Sequence, residues 1–289
     1  MRWQTYPGRG VARGRTRRFL AVAISLVALT GAVGLAGCSS DDDEELAYQE
    51  RPVEEIYNKA MDHLLNEDYR QAAAEFDEVE RQHPYSSWAR RATLMSAYAH
   101  YQSNEYDEGI LAAERFITLH PGNRDAPYAY YLIALSYYEQ ISDVGRDQKT
   151  TENALAALQE VVRRFPQSEY ARDSQLKIDL TRDHLAGKEM EIGRYYLRQH
   201  AYVAAVNRFR NVIEYYQTTT HVPEALHRLT EAYLSLGVQK EAQTAAAVLG
   251  YNYPGSRWYE DSYALLADEN LQPEQDESSW ISKVWTSVF

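Results

Sequence analysis

The chain has 289 residues, 25% of them charged, and a formal net charge of -12. So acidic a protein repels phosphate backbones, which argues against nucleic-acid binding. Its single cysteine excludes an intrachain disulfide framework and every cysteine-rich zinc site.

The first element is an export signal. Arg13, Arg15, Arg17 and Arg18 make a basic start, and residues 19–36 carry no charge and are mostly apolar. Small residues then run directly into the cysteine. Leu35-Ala36-Gly37-Cys38 is similar to a bacterial lipobox, a signal in which the cysteine becomes the first mature residue and carries lipid. Residues 1–37 are therefore expected to be a lipoprotein signal peptide, Cys38 the lipidation site, and 38–51 the acylated cysteine with a disordered acidic tether. Each buried methylene contributes about 0.8 kcal/mol, so two or more acyl chains anchor where one does not. Ser39, rather than aspartate, follows the cysteine; the sorting convention of such signals then implies the outer membrane. Residues 1–37 hold six arginines and no acid, so their removal takes the charge from -12 to -18. Nothing later in the sequence reads as a membrane span.

Helical periodicity begins near Pro52, a residue suited to the first turn. Three stretches then end alike, at Pro84, Pro121 and Pro166. Twelve residues before each proline stands a small residue (Ala72, Gly109, Ala154), eight before stands Phe76, Ala113 or Leu158, and five before stands Val79, Phe116 or Val161. These offsets share one helix face. Ala205, Phe209 and Val212 continue the frame, with Gln217 in place of proline, and Ala242, Ala246 and Leu249 lead to Pro254. A preceding helix shares it through Ala60, Ala97 and Gly193, and through His63, His100, Tyr196 and Tyr233. Ala134 and Tyr137 fit if about eight residues near Ser142 to Lys149 are inserted. This is the tetratricopeptide pattern of paired antiparallel helices with small residues at their crossings. The expected fold is all-α, a superhelical solenoid of about five degenerate helix pairs over residues 52–267, with about ten main helices. The sequence predicts a helix from Glu169 to Leu185, a break at Gly187, and a second helix after it.

The first helix of each pair commonly lines the concave side of such a solenoid. Tyr98, Tyr101, Tyr128, Tyr130, Tyr131, Tyr137 and Tyr138 fall on such helices. Tyrosine offers apolar area and a hydroxyl at small entropic cost, so these rings are either helix-packing residues or the lining of a peptide groove. The eight histidines show no ligand spacing and no HExxH, so no metal site is expected. GxSxG, Walker A and dinucleotide motifs are absent. The reading is a binding module, not an enzyme, with no cofactor beyond the covalent lipid on Cys38. After Ala267 an acidic linker leads to SSWISKVWTSVF, where Ile281, Val284, Trp285 and Val288 form an amphipathic stripe. Residues 268–289 are thus a linker and short segment expected to dock on a partner or back on the solenoid.

Lipobox, polar tether and five degenerate units together resemble the lipoprotein family of the bacterial β-barrel assembly machinery. The strings that carry the resemblance are PVEEIYNKA (52–60), ERFITLHP (114–121), SDVGRDQ (142–148) and GRYYLRQHAYVAAVNRF (193–209). The resemblance implies a lipid-anchored protein at the periplasmic face of the outer membrane. It implies binding to the periplasmic domains of a BamA-like barrel subunit and to unfolded outer-membrane proteins, alongside other assembly lipoproteins. It implies that Arg208, in AAVNRF, meets a carboxylate of the barrel subunit, whose planar geometry a guanidinium matches. Tyr98 and Tyr101 are the candidate substrate contacts, and Arg146 with Asp147 is expected to fix the inserted loop. The alternative is a periplasmic tetratricopeptide lipoprotein that scaffolds cell-division or peptidoglycan-remodelling proteins.

Overall fold

A computed structural model describes residues 50–288, and the side chains of 50–286. The signal peptide, Cys38 and the tether as far as residue 49 lie outside the described residues. From Arg51 onward the chain is one compact unit. Among the described residues it contains twelve helices and no strand. Ten helices form five consecutive pairs: α1 (Val53–Leu65) with α2 (Tyr69–Gln82), α3 (Ser87–Gln102) with α4 (Tyr106–Leu119), α5 (Ala126–Glu139) with α6 (Lys149–Arg164), α7 (Glu169–Arg198) with α8 (Tyr202–Tyr215), and α9 (Val222–Ser235) with α10 (Gln239–Asn252). Two more follow, α11 (Arg257–Asp268) and α12 (Trp280–Val288). From α1 to α11 each helix packs on the next, and first helices also touch first helices, α1 on α3, α3 on α5 and α5 on α7. This is the helix-pair solenoid that the sequence predicts.

Local chemistry sets the boundaries. Ser86, Ser168 and Ser256 cap α3, α7 and α11, each accepting a bond from the backbone N–H three residues on. Each follows a proline by two residues, so Pro-x-Ser both ends one helix and starts the next. The turn inside pairs 1, 2, 4 and 5 places one residue in the left-handed region, at Glu67, Asn104, His200 and Gly237, all at the same repeat position. Only Gly237 adopts it without cost. The third pair carries the inserted loop there instead.

The repeat frame is the core. Ala72, Phe76, Val79, Ala154, Leu158, Val161, Ala205, Phe209, Val212, Ala242, Ala246 and Leu249 are all completely buried. Gly193 brings α7 close to α8: a Cβ built there would lie 2.4 Å from the Phe209 ring.

Two expectations need correction. Gly187 does not break the chain; α7 runs through it as one helix of 30 residues. A single glycine costs a helix about 1 kcal/mol relative to alanine, and here both α6 and α8 pack against α7. Gly187 instead makes room for His221, whose Nε2 would stand 3.2 Å from an added Cβ. Among the described residues eleven helices rather than about ten precede the C-terminal segment, because α11 packs on α9 and α10 as an unpaired first helix.

Candidate functional site

Polar aromatic side chains gather on the first helices. Arg91, Leu94, Met95, Tyr98 and Tyr101 recur at offsets of three and four along α3, which puts them on one face. The α5 face opposite presents Tyr128 and Tyr131, and α7 adds Tyr170. The rings form a row. Tyr101 meets Tyr106 at 5.9 Å between centroids, and Tyr170 meets Tyr128 at 5.5 Å and Tyr131 at 5.2 Å. All are partly exposed, with their buried edges in the seams between pairs. Burial, reinforced by Glu139, pushes the Tyr101 hydroxyl up to about 12. Burial also raises Tyr128 and Tyr131; the latter additionally donates to the Asp173 carboxylate. These hydroxyls therefore stay protonated and act as hydrogen-bond donors and acceptors at any physiological pH. Lys177 bonds Asp173 at 2.9 Å and stands 5.4 Å over the Tyr138 ring.

Beside this row lies a groove of 610 Å³ whose walls include Tyr57, Arg90, Arg91, Met95, Phe116 and Arg124. Arg90 and Arg91 form no ion pair among the described residues, while Arg124 pairs only with the adjacent Asp125, at 3.5 Å. Sequence reasoning missed these arginines. The signal was present in the helical offsets that join Arg91 to Tyr98 and Tyr101. The structure thus brings Tyr98 and Tyr101 into one face with further tyrosines and with free guanidinium groups.

Arg208 lies elsewhere, on α8. One of its terminal nitrogens donates to both Glu189 oxygens, at 3.3 and 3.4 Å, and Asn211 Nδ2 donates to the same carboxylate at 2.9 Å. The Arg208 side chain is 38% exposed. Its Nε and second terminal nitrogen have no partner among the described residues, so one edge of the guanidinium fork can still take a carboxylate. Glu189, nineteen residues earlier, was not legible as its partner.

The inserted loop is held differently from expectation. Asp143 Oδ1 accepts from the Gly145 N–H at 2.7 Å, Gln148 Nε2 donates to the Arg146 carbonyl at 2.9 Å, and Lys188 Nζ donates to the Gly145 carbonyl at 3.0 Å. The Arg146 and Asp147 side chains are exposed and make no hydrogen bond or ion pair among the described residues. A tight turn between short polar groups needs only the backbone of Arg146, so Asp143 and Gln148 do the fixing.

The C-terminal segment folds back. Ile281 is fully buried and Trp285 is 8% exposed, both within the core of pairs 4 and 5; the side chain of Val288 lies outside the described residues. No helix among the described residues is long and apolar enough to cross a membrane, and no group of three or more metal-ligating side chains occurs among them.

The sequence is similar to those of known proteins. A family model described as YfiO, an outer membrane lipoprotein, matches residues 49–249. A Caulobacter vibrioides protein, "Outer membrane protein assembly factor BamD", is 54% identical over 252 residues, covering 87% of this chain and 83% of its own. Proteins of the same name from Rickettsia prowazekii and Neisseria meningitidis are 47% and 35% identical, each covering 80% of this chain and 92% of its own. Among solved structures, the tetratricopeptide domain of P58(IPK) is 14% identical, covers 81% of this chain and 64% of its own, and has a TM-score of 0.39.

Proposed function

Because the chain belongs to the outer membrane lipoprotein family of assembly factors, and so serves in outer membrane protein assembly, we propose that it does this by holding unfolded outer-membrane proteins on the tyrosine face of α3, α5 and α7 while Arg208 engages a carboxylate of a BamA-like barrel subunit. Lipid on Cys38 anchors it at the periplasmic face of the outer membrane. The observation that carries this reading is the row Tyr98, Tyr101, Tyr128, Tyr131 and Tyr170, which spans three successive first helices.

Unfolded barrel strands present alternating aromatic side chains and unpaired backbone groups. A row of protonated tyrosines matches both: rings take the apolar side chains, and hydroxyls pair with peptide N–H and C=O groups. The free edge of Arg208 supports the second contact. Glu189, itself held by Asn211, fixes the guanidinium, so a partner's carboxylate meets a group already oriented.

The test is a pulldown from detergent-solubilised envelopes, comparing wild type with Arg208→Ala, with bound proteins identified by mass spectrometry. Wild type should retrieve the barrel subunit, and the folded variant should lose most of it while still binding an unfolded barrel-strand peptide. Tyr98→Ala with Tyr101→Ala should do the reverse. Retrieval of division or peptidoglycan proteins without a barrel subunit would replace this reading with the scaffold alternative.

A further inference from the structure

In the C-terminal pairs the outer groove between second helices is filled. α12 packs on α8 and α10. The Arg210 guanidinium stands 4.6 Å over the Trp280 ring, and the Trp280 indole N–H donates to the Tyr233 hydroxyl at 2.9 Å. Thr244 Oγ1 accepts from the Asp276 N–H at 3.2 Å as the chain enters the helix. Under this cover Ile213, Leu226, Leu229 and Val248 are 0–2% exposed.

The repeat frame locates the same groove two pairs earlier. With Gly109 aligned to Ala205, Ala134 to Thr230 and Ala154 to Ala242, the contacts Arg210, Tyr233 and Thr244 correspond to Glu114, Tyr137 and Ala156. Those positions are open. Between α4, α5 and α6 lies a groove of 530 Å³ whose walls include Glu114, Ile117, Tyr130, Ile133, Ala156 and Ala157. Ile117, the counterpart of buried Ile213, is partly exposed, and Leu111, one turn before Glu114, is 62% exposed.

We infer that the groove between α4 and α6 docks an amphipathic helix of a partner protein, seated as α12 is seated between α8 and α10. The lining describes that helix. Ala156 and Ala157 let its backbone approach closely, as small residues do at helix crossings. Ile117, Ile133 and the Tyr130 ring call for an apolar stripe at offsets of three and four. The charge is reversed relative to the filled groove. Where Arg210 covers Trp280, Glu114 stands without an ion pair among the described residues; burial first, then the charges of Glu114 and Asp107, raise the hydroxyl of nearby Tyr137. The occupant therefore carries arginine or lysine where α12 carries Trp280. α12 itself is engaged in its own groove and would place an indole against this carboxylate.

The test uses the full chain and two helix-stabilised fluorescent peptides, followed by polarisation. One has the sequence of residues 278–289; the other has the same sequence with Trp280→Arg. The arginine peptide should bind wild type roughly fivefold more tightly than the native one, the effect of one surface charge pair. Glu114→Arg in the protein should reverse that preference. Ala156→Arg should abolish binding of both peptides, since it fills the groove. Ala156 is exposed, and should this variant still fail to fold, the Glu114→Arg reversal decides alone. Equal binding of both peptides to wild type and Glu114→Arg, or binding indifferent to Ala156→Arg, would overturn the inference. So would concentration-dependent dimerisation of wild type that Ala156→Arg removes, because the occupant would then be a second copy of this chain.

Discussion

The two ends of the solenoid solve the same packing problem differently. From α1 to α7 the buried side chains fall into three separate clusters, each joining one pair to the first helix of the next. From Ala186 to Trp285 they form a single cluster that α11 and α12 extend. Nearest-neighbour stacking alone gives the first arrangement. The second arises because α12 returns from far along the chain and ties α8 to α10. Separate cores leave seams, and the tyrosines and the arginine groove occupy those seams. The merged core includes Val206, Phe209 and Val212, the neighbours of Arg208 on α8. The proposed roles follow this division, with unfolded substrates on the N-terminal pairs and the barrel subunit at Arg208.

Removal of an equivalent ring from each end tests that difference most severely. Phe76 and Phe209 share a repeat position and are fully buried. Replacement by alanine should cost about 3–5 kcal/mol at either site, read by urea unfolding. The spread should differ. Hydrogen exchange after Phe209→Ala should rise from α7 through α12, and after Phe76→Ala only in α1 to α3. Uniform exchange across the chain in the Phe76 variant would show one cooperative core instead. Next in size is Ile281→Ala, at about 2–5 kcal/mol. It should detach α12 and loosen α8 to α10 while α1 to α6 keep their protection.

The repeat frame was legible because small residues are needed wherever two helices cross, and every second-helix position it named is buried, while His63, His100, Tyr137 and Tyr196 on the first helices are only partly so. The same frame could not show where α12 would go. An amphipathic stripe specifies that a face must be covered, but the cover here comes from Arg210, Tyr233 and Thr244, 32 to 70 residues away in sequence. Gly187 misled for a related reason: local propensity said break, and packing on both sides said continue. At the site, Tyr98 and Tyr101 were visible as ring-rich helix positions. The ion pair of Arg208 with Glu189 was not, because contacts between helices do not show in spacing along one of them.

Gly193→Ala sharpens the comparison from inside the fourth pair. Alanine occupies this position in the first two pairs, at Ala60 and Ala97, and Ala60 is buried beside Phe76 without conflict. In the fourth pair a Cβ would lie 2.4 Å from the Phe209 ring, so α7 and α8 must part. A cost of about 1–3 kcal/mol is expected. Glu189 and Arg208 sit on the two helices that separate, so capture of the barrel subunit should fall even where the variant folds. Unchanged capture with lowered stability would mean that the orientation of Arg208 does not depend on this crossing.

The smallest effect distinguishes the two ends by sign. His100 on α3 lies between the Asp77 carboxylate at 3.5 Å and Glu105 at 2.9 Å. Arg115 also faces Asp77 and Arg70 faces Glu105. The Asp77 bond, opposed by burial and aided by Glu105, raises the His100 pKa. Its stabilisation is fully present below the unfolded value, about 6.5, and fades as pH climbs through the raised folded value. His227 on α9 is the opposite case. Burial first, then Arg228, lowers its pKa against the weaker pull of Glu231, Asp261 and Glu224. Its neutral ring bonds Ser262 at 2.9 Å and faces Trp258 at 5.2 Å. That contribution is present above about 6.5 and is lost as pH falls toward the lowered folded value. Raising the pH from 6 to 8 should therefore loosen α2 to α4 while tightening α9 and α11, read as exchange protection corrected for the intrinsic rate. His100→Gln should remove the first trend and leave the second. Parallel trends at both ends would mean that the two regions are coupled, and that the separate N-terminal clusters do not open independently.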